Sequence, residues 1–319
     1  MYRNQFYVSG GEAVNTAALS SAGVKIPVIV PGRYYQSYLV GENRFGTFSA
    51  SSMVNFLADQ GFDGMDLSLD SIDIFDDSLR SVYTGLARRA RERGLDIPVC
   101  HLPFFMPPPD DTDAMRRYTQ SVLCGVDIAA ALNIPTAVIH PIVRHSSRCC
   151  YERWIKNNIE FLTPICRRAR ESGVAIAIEN MAGVPYKSID GDKVFGCCAE
   201  DVVLLADSLG VGVCWDSGHA NITGLCQSAE LSVIGERLIA LHIHGNDGKK
   251  DAHLLPCNPR STMDADDLAQ GLRAIGFTDR KGIYLDFEVK TSHLTADKCQ
   301  REKFAHLTKK SAAWFAKKL

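Results

Sequence analysis

Eight short apolar, β-rich runs recur along the chain, each separated from the next by a longer stretch, mostly of helical periodicity, and this alternation limits the fold more than any other feature. The runs cover residues 27–30, 64–69, 97–103, 136–141, 174–180, 211–216, 239–244 and 283–288. Helical segments are expected over 49–60, 79–93, 115–132, 153–171, 199–209, 266–275 and 301–318. Gly94, Gly173 and Gly276 stand just past three of them, where a helix end favours a residue that tolerates left-handed backbone. A parallel strand needs a crossover of about a dozen residues to rejoin its sheet. Strand-helix units repeated eight times therefore predict an α/β fold, a (β/α)8 TIM barrel forming one domain over residues 24–319. Residues 1–23 carry no clear period and read as an N-terminal arm, placed over the barrel bottom or a partner subunit. The run FFMPPPDDTD, residues 104–113, can continue neither a strand nor a helix and reads as a βα loop on the catalytic face.

Several runs end in residues that bind metals. GVCWDSGHAN delivers Asp216 and His219, VAIAIENMAG delivers Glu179, and LIALHIHGND delivers His242, His244 and Asp247. GIYLDFEVK ends in Glu288 with Asp286 on the same face, TAVIHPI ends in His140, and VCHLPF carries His101. Carboxylates and imidazoles at the C-terminal ends of successive strands can converge on one ion from distant parts of a chain. Plain alternatives stand beside each assignment. A buried carboxylate can pair with Arg or Lys, His219 can cap or pack a helix, and His101 and His140 can be satisfied structural residues. His242 and His244 lie two apart and share one side of a strand, so one is expected to ligate and the other to touch a neighbour or the substrate. Asp251 and His253, in KKDAHLLP, have the spacing of a metal pair but lie on a loop, where a solvated charge is the ordinary outcome.

Composition removes several function classes. A net charge of -2 leaves no electrostatic footprint for nucleic acid or an anionic membrane surface. The 11 cysteines are scattered, with adjacent pairs at Cys149-Cys150 and Cys197-Cys198 and no CxxC, which fits reduced thiols in a cytoplasm. No apolar run approaches the ~20 residues that span a bilayer, and the N-terminus lacks the basic and apolar regions of a secretion signal. A soluble cytoplasmic protein is expected.

Four motifs in order, IENMAG, VCWDSGHAN, HIHGNDGKKDAHLLP and FEV, resemble the xylose isomerase-like TIM-barrel superfamily, which includes the sugar isomerases and epimerases and endonuclease IV. The resemblance runs from about His101 to Glu288. It implies that Glu179, Asp216, His244 and Glu288 ligate one divalent ion, manganese foremost, with cobalt, magnesium and zinc as alternatives; His242 is the alternative histidine. It also implies that His219 contacts a substrate oxygen, with His101 and His242 as further substrate contacts. The implied reaction is isomerisation or epimerisation of a ketose or keto-sugar. That chemistry needs a base on carbon and an electrophile on the oxygens, and a divalent ion supplies the second by stabilising enediolate charge. Glu179 and Glu288 are expected to remove and return the proton, with His140 or His145 as the alternative base.

A lyase reading uses the same first step. Deprotonation beside the ketone of a 3-keto glycoside can expel an aglycone, as some relatives that resemble C-glycoside-cleaving subunits imply, and the N-terminal arm and the Pro-rich loop would then suit a partner subunit or a bulky substrate; a homo-oligomer is the other assembly expected. A nuclease reading ranks lower. The residue types of the three-zinc endonuclease IV site are all present, as His101, His140, Glu179, Asp216, His219, His244, Asp251, His253 and Glu288. However, LLPCNPRSTMD replaces the usual Gly-rich turn, HIHGND replaces HxHDN, and PPPDDTD is acidic; RHSSR at 144–148 is the modest basic cluster near a strand end, whereas holding and bending DNA requires basic and wedging side chains. A binding protein that kept its ligand residues is the non-enzymatic alternative. With no Gly-rich phosphate loop, the expected partner is a non-phosphorylated sugar or glycoside.

Overall fold

The computed structural model describes residues 20–21, 24–25, 27–31, 50–69, 77–143, 151–185, 193–289 and 298–319. Eight parallel strands close into a barrel in chain order. They are β1 (Val28–Pro31), β2 (Gly64–Ser68), β3 (Val99–His101), β4 (Thr136–Ile139), β5 (Ala175–Glu179), β6 (Gly212–Asp216), β7 (Leu238–His242) and β8 (Leu285–Asp286). Pairing of Leu285 with Val28 and of Asp286 with Ile29 joins β8 to β1 and closes the ring. Around it lie α1 (Ala50–Asp59), α2 (Asp77–Glu92), α3 (Thr112–Ala131), α4 (Tyr151–Glu171), α5 (Ala199–Leu209), α6 (Ser217–Thr223), α7 (Gln227–Ile234), α8 (Ala265–Ala274) and α9 (Lys298–Ala316). The eight-unit barrel expected from the alternation is the observed fold.

Period-2 alternation sets what the barrel encloses. Ile29, Val99, Val138, Ala177, Cys214 and Ala240 point inward and form a small buried cluster of their own. Outward-facing strand residues join the helices in the larger core, which holds Trp215, Tyr118, Phe287 and Phe315. Two residues beyond an inward position the side chain points inward again. Two beyond Val99, Val138, Ala177, Cys214 and Ala240 stand His101, His140, Glu179, Asp216 and His242. The barrel interior is thus an apolar layer capped by a layer of imidazoles and carboxylates.

Three differences from the sequence reading matter. The hydrogen-bonded strands are shorter than the apolar runs, so His140, His244 and Glu288 lie just past the ladders, in backbone that already turns toward loops. The connection from β6 to β7 holds two short helices that no apolar period announced, α6 and α7. The run 104–113 is a loop as expected, but its last two residues already begin α3, where Asp111 caps the helix by accepting from Ala114 N at 2.9 Å. Gly94, Gly173 and Gly276 do adopt left-handed backbone, at φ 73°, 73° and 65°.

The N-terminal arm expected over 1–23 lies outside the described residues apart from Ser20–Ser21, which pair antiparallel with Val24–Lys25. His145 and the cluster 144–148 lie outside them as well. The described cysteines are free thiols, and no helix among the described residues is long and apolar enough to cross a membrane.

Candidate active site

Four strands end on a site residue: β3 on His101, β5 on Glu179, β6 on Asp216 and β7 on His242. Glu288 follows β8 by two residues, again on the inward side. Glu179, Asp216, His242 and Glu288 are buried, and one ligating atom of each lies within 4.8 Å of the others. From His242 Nδ1 the carboxylate oxygens are 3.3 Å away on Glu179, 3.8 Å on Asp216 and 3.4 Å on Glu288.

Both histidines lie in candidate donor groups with atoms within 4.8 Å of one another, His242 with Glu179, Asp216 and Glu288, and His244 with His253 and Glu288. His242, expected beside the substrate, joins the three carboxylates. His244, expected among the ligands, lies two residues beyond the ladder, with Nε2 3.0 Å from Asp216 and its ring stacked on His253 at 4.1 Å. Strand β7 stops at His242, so His244 is placed by the loop that follows it. A Cβ on Gly218 would fall 1.9 Å from the His244 ring, so glycine is what lets helix α6 and the imidazole approach this closely.

Glu179 lies at the centre of the histidines. Its Oε2 is 3.2 Å from His101 Nε2 and 3.2 Å from His140 Nε2, and its Oε1 is 3.4 Å from His219 Nδ1. Burial alone would push the Glu179 carboxyl up, but the imidazoles of His242 and His140, with hydrogen bonds from His101 and His140, hold it well below the usual carboxylate range. Burial likewise works against a charged His242, yet Cys214, Glu179 and Glu288 around it raise its pKa well above that of a free imidazole. At His140 burial wins over the attraction of Glu179, and its pKa is lowered. Burial pushes the Cys214 thiol, in the apolar layer beneath, up to about 12.

The Asp-x-x-His motif has two jobs. Asp216 Oδ1 accepts from His219 N at 2.7 Å, capping α6, while Oδ2 faces His242 and His244. Asn180 clamps the same strand end: its Oδ1 accepts from Asp216 N at 2.6 Å and its Nδ2 donates to Asp216 O at 3.1 Å. Nothing but its place directly after Glu179 could have singled it out. Asn246 is a second such residue, donating to Gly218 O at 2.8 Å and accepting from Asn221 Nδ2 at 2.7 Å, so that it ties the loop after β7 to α6.

That loop carries Asp251 and His253 into the site. Reciprocal bonds of 2.7 Å between Gly245 and Leu254 fold it back over the barrel mouth. Asp251 then lies 2.9 Å from His253, 3.6 Å from His244 and 3.9 Å from His219. Burial would raise its carboxyl pKa, and the surrounding imidazoles lower it far below the usual range. His253 holds φ +45°, a strained backbone for a residue with a Cβ. Asp247 is not brought in; its Oδ1 accepts from Lys249 N and Lys250 N and shapes the turn. Ring nitrogens pair with backbone oxygens at three positions: His101 Nδ1 with Leu102 O, His219 Nδ1 with Asn180 O and His253 Nδ1 with Glu288 O. Each bond leaves Nε2 toward a site carboxylate, Glu179 for His101 and Asp251 for His219 and His253.

The profile of a protein family described as xylose isomerase-like TIM barrel matches residues 54–318. Two curated relatives are the uncharacterized proteins y4fM of Sinorhizobium fredii, 33% identical over 44% of this chain and 44% of its own length, and MJ1311 of Methanocaldococcus jannaschii, 30% identical over 49% of this chain and 54% of its own length. The chain thus spans about half the length of the curated relatives it matches. Among solved structures, a D-tagatose 3-epimerase-like protein superposes with TM-score 0.68 at 18% identity, over 92% of this chain and 98% of that one. The 3-keto-D-glucoside 4-epimerase YcjR of E. coli does so with TM-score 0.64 at 14% identity, over 91% and 99%. A D-psicose 3-epimerase solved in the presence of D-fructose gives TM-score 0.63 at 15% identity, over 91% and 98%. At such identities the likeness is one of fold.

Proposed function

As this chain belongs to the xylose isomerase-like TIM barrel family, we propose that it is a divalent-metal-dependent isomerase or epimerase of a ketose or keto-sugar. One observation carries the reading: Glu179, Asp216, His242 and Glu288, all buried, present their ligating atoms within 4.8 Å of one another. Three carboxylates and one imidazole are a hard and borderline donor set that suits manganese, cobalt, magnesium or zinc. Buried carboxylates crowded this closely repel one another unless a cation or protonated imidazoles lie between them. His244, whose Nδ1 is buried without a hydrogen-bond partner among the described residues, forms a further donor group with His253 and Glu288. When bound, the ion supplies Lewis acidity that makes the carbon next to a carbonyl more acidic.

The chain's own residues do the rest. Glu179, kept ionised by its imidazoles, accepts the proton from carbon as the C–H electron pair moves toward the carbonyl oxygen. Glu288, having taken a proton from solvent, returns one to carbon as the electron pair moves back from oxygen. On the same carbon from the opposite face this gives an epimer, and on the neighbouring carbon, with the hydroxyl proton passing to the first oxygen, an isomer. His219, with Nε2 toward Asp251, holds a substrate hydroxyl, and His140, whose pKa is lowered, is the alternative base. The fold likeness to epimerases of D-tagatose, D-psicose and 3-keto-D-glucoside type supports this choice of chemistry.

A second reading, hydrolysis by two or three ions, is favoured by one observation. His101, His140 and Glu179 form another donor group within 4.8 Å, sharing Glu179 with the first. The test is metal content per chain by elemental analysis, joined to deuterium uptake from solvent into a panel of ketoses and keto-glycosides. About one ion per chain with deuterium uptake, reduced at least a hundredfold in Glu288→Gln, supports the isomerase reading. Two or three zincs, no uptake, and cleavage of abasic-site DNA would replace it with the hydrolytic one.

A further inference from the structure

The inward residue two short of the end of β6 carries sulfur. Cys214 is fully buried and stands in the apolar cluster with Ile29, Val99, Val138, Ala177 and Ala240, and among these it alone offers an atom that can bind a metal. A buried free cysteine ordinarily fills space as a small hydrophobe. Strand register gives this one other company. Cys214 is the direct ladder partner of Glu179 on β5, while Asp216 is the partner of His242 on β7. The stagger therefore lifts the thiol to the level of the Glu179 carboxylate, although Cys214 lies a full inward step below Asp216 on its own strand.

Sulfur, carboxylate oxygen and imidazole nitrogen come together there. One ligating atom each of Cys214, Glu179 and His242 lies within 4.8 Å of the other two, and all three residues are buried. The inward residues two before Glu179 and His242 are Ala177 and Ala240, so neither flanking strand sets a branched inward side chain beside the sulfur. This group differs in donor chemistry from Glu179, Asp216, His242 and Glu288. Three carboxylates and an imidazole are hard to borderline donors, which manganese and magnesium accept, whereas sulfur favours zinc, cadmium and cobalt. Both groups use Glu179 and His242, so an ion seated in one competes with an ion in the other.

We propose that Cys214, Glu179 and His242 form a second seat for a divalent ion, one step inside the barrel and selective for thiophilic metals such as zinc and cadmium, which compete there with the ion of the proposed reaction. The inference rests on the reading of the carboxylate and histidine cluster as a metal site. As the sulfur–metal bond forms, the thiol proton passes to solvent and no oxidation state changes. With a thiophilic ion in this seat, Glu179 and His242 are drawn away from Asp216 and Glu288, and Glu179 no longer serves as base. The choice of metal thus switches the site between a hard-donor arrangement that turns over and a sulfur-bound one that does not.

The test titrates the metal-free full chain with cobalt and follows the near-ultraviolet sulfur-to-cobalt charge-transfer band in the native protein, Cys214→Ser and Cys214→Ala, with melting temperatures as the control for folding. The chain holds 11 cysteines, so the readout is the band that native protein shows and the variants lack. Cadmium and manganese affinities are measured on the same proteins by calorimetry. The preference for cadmium over manganese should fall by about tenfold or more in Cys214→Ser. Cadmium should also expel manganese from the native protein, read by elemental analysis. A band that survives in both variants, an unchanged cadmium preference, or cadmium that leaves the manganese content unchanged overturns the seat. So does an equal loss of affinity for both metals, which would mean that the thiol only packs. Deuterium uptake by the manganese-loaded protein is followed in parallel. Uptake with no band from Cys214 sinks the seat and leaves the reaction standing; the band without uptake supports the seat and sinks the reaction; a chain that binds none of these ions sinks both.

Discussion

Gly218→Ala separates a crowded site from an ordinary helix position. Gly218 lies inside α6 with φ outside the left-handed region, so alanine is allowed by the backbone there. Its new Cβ would lie 1.9 Å from His244 Cε1, 2.3 Å from Nδ1 and 2.5 Å from Nε2. Restoring ordinary carbon contact, about 3.5 Å, requires a relative shift of about 1.5 Å. Neither partner moves freely. His244 is paired with Asp216 at 3.0 Å, stacked on His253 at 4.1 Å and tied through Ser217 Oγ by two 3.2 Å bonds, while Gly218 O is held by Asn246. Overpacking of this kind costs about 1–3 kcal/mol, and the better helix propensity of alanine offsets up to about 1 kcal/mol. The melting temperature should therefore fall by about 1–4 °C. Manganese affinity, measured by titration calorimetry, should fall by about 10–100-fold as His244 drags Asp216 out of place. The contrast is Gly85→Ala in α2, where nothing lies within 4 Å of the added Cβ. There the same exchange should stabilise by up to about 1 kcal/mol. Equal melting temperatures and equal manganese affinity for Gly218→Ala and the native protein would refute the reasoning.

The two histidines after β7 predict different losses. His242→Ala, which removes the imidazole among three carboxylates, should leave purified protein with little bound metal by elemental analysis, whereas His244→Ala should retain metal with about 10–100-fold weaker affinity; the reverse order would return the ligand role to His244. Tyr118→Phe deletes the buried hydroxyl that bonds Pro103 O and should cost about 1–2 kcal/mol, read as a lower melting temperature. An unchanged melting temperature would show that this bond does not hold the β3 loop.

Much of the barrel could be read from periodicity, because every crossover is long enough to return a parallel strand and each strand repeats every two residues. The same period announces the polar layer: Val99 to His101, Ala177 to Glu179 and Cys214 to Asp216 each step from an apolar inward position to an imidazole or a carboxylate. Where the period ends, the reading ended too. His242 and His244 share a parity, so spacing does not separate them, and Asp251 and His253 lie on a loop whose path no period encodes. Helix α6 escaped it because seven residues, SGHANIT, are too few to show an apolar stripe.

Strand identity, inward parity and the residue types at the barrel mouth are local properties, and the chain's order of residues determines them alone. Which of those residues meet is a property of closure. His101 reaches Glu179 across 78 residues of chain and His242 reaches it across 63, and they do so because strand stagger brings their inward positions to one level of the ring. Closure also decided that β7 stops at His242, that Asn180 and Asn246 clamp the strand ends, and that a folded-back loop carries Asp251 beside three imidazoles. Each of these depends on distances between elements, which no spacing along a single strand encodes.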